Sequence, residues 1–113
     1  MGWDAYAIGY NKEKHQKDFD KAINKILRKG FNPDGGLQYG MLDMTVCAEA
    51  LEEITGKSAY GEKYTYEWMI SIRSKIRYTK HDPKSKIVDW AFYSAQEFLK
   101  ICLKHKLDIE FSW

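Results

Sequence analysis

The chain has 113 residues, enough for one hydrophobic core and too few for two. Hydrophobic residues make up 44% and aromatic residues 15%, which excludes a disordered chain. The 18 Lys and Arg nearly balance the 16 Asp and Glu, so any attraction for nucleic acid or anionic lipid must come from a local patch.

Met1 to Tyr10 reads as a strand, with Trp3, Ala5, Ala7 and Gly9 facing one way and Asp4, Tyr6, Ile8 and Tyr10 the other. Neither face is cleanly polar, which predicts a strand covered on both sides, although two glycines equally suit an irregular arm. From Lys14 to Lys29 the spacing predicts an amphipathic helix. Phe19, Ala22, Ile23, Ile26 and Leu27 face inward, and Gly30 ends the helix in a left-handed conformation. Opposite that face, Lys14, Lys17, Lys21, Lys25 and Arg28 fall within a stripe of roughly 80° of arc. Such a stripe suits a solvated surface, or a ridge that tracks phosphates or an acidic partner.

Phe31 to Gly40 contains Pro33, Asp34, Gly35 and Gly36, a turn cluster that lacks the context of a nucleotide-binding loop. Leu37 to Leu42 has room for a short strand. A helix from Met44 to Thr55 follows, capped by Asp43 and ended by Gly56. It buries Val46, Cys47, Ala50, Leu51 and Ile54 and leaves Glu49, Glu52 and Glu53 as a solvated acidic face. After a loop over Lys57 to Lys63, a third helix is predicted from Thr65 to Thr79, with Trp68, Met69, Ile72 and Ile76 on one face. Arg73, Arg77 and Lys80 form a second basic row beside it.

The most regular stretch is Asp82 to His105. Ile87, Val88, Ala91, Phe92, Ala95, Phe98, Leu99, Cys102 and Leu103 recur at helical spacing, with Asp82 as cap and Pro83 in the first turn. Leu107, Ile109, Phe111 and Trp113 then alternate with polar residues, predicting a half-buried strand that pairs with the N-terminal strand or the Leu37 region. The chain therefore reads as one domain over 1–113, α+β and helix-dominated, with about four helices and a small sheet that includes both terminal strands.

Chemistry is sparse in this pattern. His15, His81 and His105 lie in separate segments without metal-ligand spacing, and Cys47 and Cys102 sit on apolar helix faces as inert thiols. No metal or cofactor is expected, and the protein is expected not to be an enzyme. No run is long enough to span a bilayer, and no signal-peptide layout opens the chain, which predicts a cytoplasmic protein without membrane contact.

Trp90, Tyr93 and Ile101 point away from the main apolar face of their helix, which suits either a helix wrapped on both sides or a partner-binding patch, for a host protein or a second copy of the chain. The basic residues Lys14, Lys17, Lys21, Lys25, Arg28, Arg73, Arg77 and Lys80 are the second candidate surface. They suit RNA or DNA if the first and third helices are neighbours, with Tyr10, Tyr66 or Tyr78 stacking on bases.

The opening Met1-Gly2-Trp3-Asp4-Ala5-Tyr6-Ala7 and the ending Ile109-Glu110-Phe111-Ser112-Trp113 resemble the termini of small uncharacterised proteins encoded by phages and prophages. The resemblance implies a compact inhibitor of host machinery, including defence systems such as CRISPR, and carries over no catalytic or binding residue. The expected function is thus a non-enzymatic protein that binds and inhibits a host protein, with a nucleic-acid-binding module as the alternative.

Overall fold

The computed structural model describes residues 2–30 and 36–113. The turn cluster read at Pro33, Asp34 and Gly35 lies outside them. Strand β1 (Asp4–Ala7) leads to helix α1 (Lys12–Arg28), then to a short hairpin of β2 (Leu37–Gln38) and β3 (Met41–Asp43). Helices α2 (Thr45–Thr55), α3 (Tyr66–Ser71), α4 (Arg73–Tyr78) and α5 (Asp89–Lys104) follow, and β4 (Ile109–Ser112) closes the chain. The sheet order is β2-β3-β1-β4, antiparallel throughout, so the two terminal strands pair as the alternation predicts.

β1 is covered on one face only, not two. Trp3, Ala5 and Ala7 are buried while Tyr6 and Ile8 are exposed, because the helices pack on a single side of the sheet. Trp3 is anchored further by its indole Nε1, which donates to the Ala59 carbonyl at 2.8 Å and ties β1 to the loop before α3. In the last strand Ile109 is fully buried, whereas Trp113 remains 60% exposed, edge-on to Tyr60.

α5 is the hub: it packs against α1, α2, α3, α4 and the β2–β3 hairpin. Phe92, Phe98, Leu99 and Cys102 are essentially inaccessible, and each large apolar side chain buried this way contributes about 1.5–3 kcal/mol. The helix begins at Asp89, not Asp82. Asp82 instead closes a turn, its carboxylate accepting from the Lys84 N–H and its carbonyl from the Ser85 N–H. Val88, which the helical spacing places on the core face, is therefore the N-cap and is exposed.

α1 starts at Lys12, two residues earlier than its apolar pattern, because Asn11 caps it through the Lys14 N–H. Leu27 is exposed rather than inward, since the core contact ends with Ile26. Gly30 adopts a left-handed conformation with φ 87°, as its position after the last helical turn requires. α2 ends at Gly56 in the same way, but its N-cap is Met44, at φ 82°, and no side chain caps it. The single helix predicted over Thr65 to Thr79 is two short helices, broken at Ile72, where φ is −115°.

Candidate functional site

The first turn of α1 and the end of α5 come together. Salt bridges from Lys104 to Asp18 and from Lys25 to Glu97 show that the two helices run antiparallel, so His15 near the start of α1 meets His105 just past the end of α5. Their ring centroids are 4.5 Å apart. Asp18, one turn on from His15, approaches His105 Nε2 through Oδ2 at 2.5 Å and accepts from Lys104 Nζ through Oδ1 at 3.1 Å.

His15 is fixed by the cap of its own helix. Its Nδ1 accepts the backbone N–H of Asn11 at 2.8 Å, while Asn11 in turn accepts the Lys14 N–H, a reciprocal arrangement that uses two of the helix's orphan donors. With Nδ1 accepting, the neutral ring carries its proton on Nε2. Burial lowers the His15 pKa, and neighbouring His105 adds to that, so the ring is a neutral hydrogen-bond donor near pH 7. The hydrogen bond from His105 is the main cause that holds the Asp18 carboxyl below its ordinary value, with Lys104 adding to it. Together these form an anionic carboxylate, an imidazole oriented by it, and a second imidazole that donates. That set can accept a proton, stabilise the resulting imidazolium and return the proton.

Asp18 and Lys104 also border a groove of about 200 Å³ between α1 and α5, lined further by Lys21, Lys25, Glu97 and Lys100. Here the basic stripe of α1 meets Lys100 and Lys104 of α5. Lys100 and Lys104 also line a second depression with Arg77 and Tyr78. The basic clusters of α1 and α4 are therefore linked through the lysines of α5 rather than by direct pairing of their helices, since α1 and α4 each pack on α5. Lys14, Lys17, Lys21, Lys25, Arg28, Arg73, Arg77 and Lys80 are all exposed.

The aromatic patch does not form. Ile101 is buried at 6% exposure, and Trp90 and Tyr93 are half-buried against the core, because α5 is wrapped on nearly all sides. Both cysteines are buried, as their apolar faces predict. Burial pushes the Cys47 thiol up to about 12 and raises Cys102 as well. Among the described residues no serine, threonine or cysteine is hydrogen bonded to a histidine, and no cluster of His, Cys, Asp or Glu is placed to hold a metal ion. The meeting of His105 with Asp18 and His15 is not legible in the sequence, because His105 lies 87 residues from Asp18. The signal at hand was that His15 shares a helical face with Phe19, Ala22 and Ile26, which made it a buried histidine.

The geometry defines a small helix-dominated α+β protein with a carboxylate–imidazole pair beside a lysine-lined groove. Over 97 residues, covering 84% of this chain, it is 32% identical to the teichoic acid D-alanine hydrolase of Staphylococcus aureus strains NCTC 8325 / PS 47 and COL. It is 31% identical over the same length to that of strain MRSA252. The chain spans about a fifth of the length of these curated relatives, 21% of each. No family model matches the chain, and no solved structure matches it significantly.

This similarity overturns the function expected from the sequence. A non-enzymatic phage-type inhibitor of host defence rested on twelve terminal residues and an aromatic patch, and its alternative, a nucleic-acid module, on two basic rows. The similarity runs over most of the chain and leads to a hydrolase. The expectation that the protein is not an enzyme is corrected on the same ground. Among the described residues no helix is long and apolar enough to cross a membrane.

Proposed function

We propose that the chain is a hydrolytic module acting on ester-linked groups of an anionic polymer, with Asp18 and His105 as its proton-handling pair. The observation that carries this is the 2.5 Å contact between Asp18 and His105, with Asp18 and Lys104 also lining the lysine-rich groove. The relatives' name joins a hydrolase to teichoic acid and D-alanine; brought to this chain, it suggests a phosphate-bearing polymer along Lys21, Lys25, Lys100 and Lys104 and a D-alanyl ester at the pair.

Asp18 occupies Nε2 of His105, so proton exchange with a substrate runs through Nδ1. Water adds its oxygen to the ester carbonyl carbon and gives a proton to Nδ1, and the adjacent carboxylate stabilises the imidazolium. The same proton then passes to the departing alkoxide as the carbon–oxygen bond breaks, leaving D-alanine and a free hydroxyl. The Nε2–H of His15 is the donor available to the oxyanion formed between these steps.

The test is release of D-alanine from D-alanylated teichoic acid by the full chain, compared with His105→Gln and Asp18→Asn. Release by the parent chain that falls about 100-fold or more in His105→Gln is the expected result, the scale of lost general acid–base catalysis. No release by the parent chain, or release by His105→Gln equal to that of the parent when circular dichroism shows the variant folded, would overturn the assignment.

A further inference from the structure

Between α4 and α5 lies a recess of about 430 Å³ that is separate from the histidine pair, lined among others by Arg77, Tyr78, Lys80, His81, Tyr93 and Gln96. None of its lining side chains is a carboxylate, nor is any in the neighbouring depression formed by Arg77, Tyr78, Lys100 and Lys104.

Three features of this recess select a ligand. The first is uncompensated positive charge. Lys25 and Lys100 pair with Glu97, and Lys104 pairs with Asp18, but Arg77 and Lys80 have no ion-pair partner among the described residues. Lys29 does not line the recess but lies with its ammonium 4.5 Å from the centre of the lining Tyr93 ring, and the lining His81 is paired with Asp89, which leaves Arg77 and Lys80 as the two unpaired cations of the lining among the described residues. Two or more cations around one opening suit a dianion better than a single carboxylate, and the Arg fork matches phosphate oxygens two at a time.

The second feature is Tyr78, 73% exposed and stacked on no other ring among the described residues. A large aromatic side chain held at the rim of a cationic recess is a platform for a flat ligand face. The third is Gln96, which is buried to 7% exposure. Its Nε2 donates to the carbonyls of Ile76 and Thr79 at 3.1 and 2.9 Å, which fixes the amide. Its Oε1 has no partner among the described residues, yet no buried polar atom there is left unsatisfied, so this oxygen is open to solvent and free to accept from a ligand hydroxyl.

We propose that this recess binds a small molecule in which a phosphate is attached to a sugar ring, either a free sugar phosphate or the same group within a nucleotide. The phosphate sits between Arg77 and Lys80, the ring lies on Tyr78, and a sugar hydroxyl donates to Gln96. The site does not depend on the hydrolytic assignment, because it shares neither His105 nor Asp18.

Calorimetric titration of the full chain with ribose 5-phosphate, AMP, ribose and inorganic phosphate tests it. The two phosphorylated sugars are expected to bind, ribose not at all, and inorganic phosphate more weakly than either. Arg77→Gln, an exposed change that spares the core, should weaken the sugar phosphates about tenfold or more, as loss of a charge-assisted phosphate contact does. AMP binding more tightly than ribose 5-phosphate, with the difference lost in Tyr78→Ala, would identify the nucleotide as the source; equal affinities would identify the free sugar phosphate. The proposal is overturned if neither phosphorylated sugar binds, if inorganic phosphate binds as tightly as both, or if Arg77→Gln leaves their affinities unchanged.

Discussion

The rings of His15 and His105 lie 4.5 Å apart, yet the two residues are held by opposite kinds of partner. His15 accepts from a backbone N–H at the start of α1, and burial favours its neutral form, whereas His105 faces the Asp18 carboxylate just past the end of α5. His15 is thereby a fixed donor through Nε2, and His105 is oriented by the carboxylate.

A two-step loss of stability on acidification follows. The His15 pKa is lowered in the folded chain, so between its unfolded value, about 6.5, and the lower folded value the unfolded chain binds the extra proton. The stability His15 contributes is present above that window and lost as pH falls through it. The Asp18 pKa is also lowered, so its contribution is present above the ordinary carboxylate value and lost as pH falls below it, through the folded value. Urea unfolding at a series of pH values should show both steps. His15→Gln should remove the upper step and Asp18→Asn the lower.

Gly40 and Gly30 both adopt positive φ, at 73° and 87°, but only one is crowded. A Cβ on Gly40 would fall 2.6 Å from Cγ of Tyr10, at the root of that ring, whereas a Cβ on Gly30 would meet nothing within 4 Å among the described residues. Gly30→Ala should cost only the left-handed penalty of about 1–2 kcal/mol. Gly40→Ala should cost clearly more, because Tyr10 must also move from its edge contact with Phe19. Thermal unfolding of the two variants side by side checks the order.

Local patterning carried much of this fold into view. Period-two alternation located β4 and its pairing with β1, and the helical spacing of Phe92, Phe98, Leu99 and Cys102 located the centre of the core. Boundaries failed where a side chain had two good local uses. Asp82 can cap a helix or close a turn, and the turn is formed, with His81 Nε2 in contact with the Ile87 carbonyl at 2.8 Å. The break at Ile72 leaves the apolar spacing undisturbed, so periodicity did not reveal it. The Asp18–His105 pair was illegible for a different reason: it exists only because α1 and α5 pack antiparallel, and no local pattern encodes which helices become neighbours.

Both thiols should resist modification while the chain is folded. Cys47 and Cys102 are inaccessible, and desolvation raises both pKa values, Cys47 to about 12, so the reactive thiolate is scarce at neutral pH. Mass spectrometry after iodoacetamide treatment should find no adduct in buffer and two in urea. A single adduct in buffer would mean that one helix opens locally without global unfolding.

Trp3 gives the sharpest test of what holds the sheet to the helices. Its ring is 1% exposed and stacks on Phe111 of β4 at 5.9 Å, while its Nε1–H reaches across to the Ala59 carbonyl. Trp3→Phe keeps an aromatic ring in the core but removes the donor and some volume. It should destabilise the chain by about 1–3 kcal/mol, the scale of leaving a buried acceptor unsatisfied. The loss should also be local in its effect. The loop over residues 56–65 is joined to β1 by this bond and to β4 by the Tyr64–Ile109 bridge, so its amides should exchange faster in Trp3→Phe while those of α5 change only with global stability. Hydrogen exchange read by NMR separates the two. Equal acceleration in the loop and in α5 would show that the Trp3–Ala59 bond supports the whole core rather than the attachment of one loop.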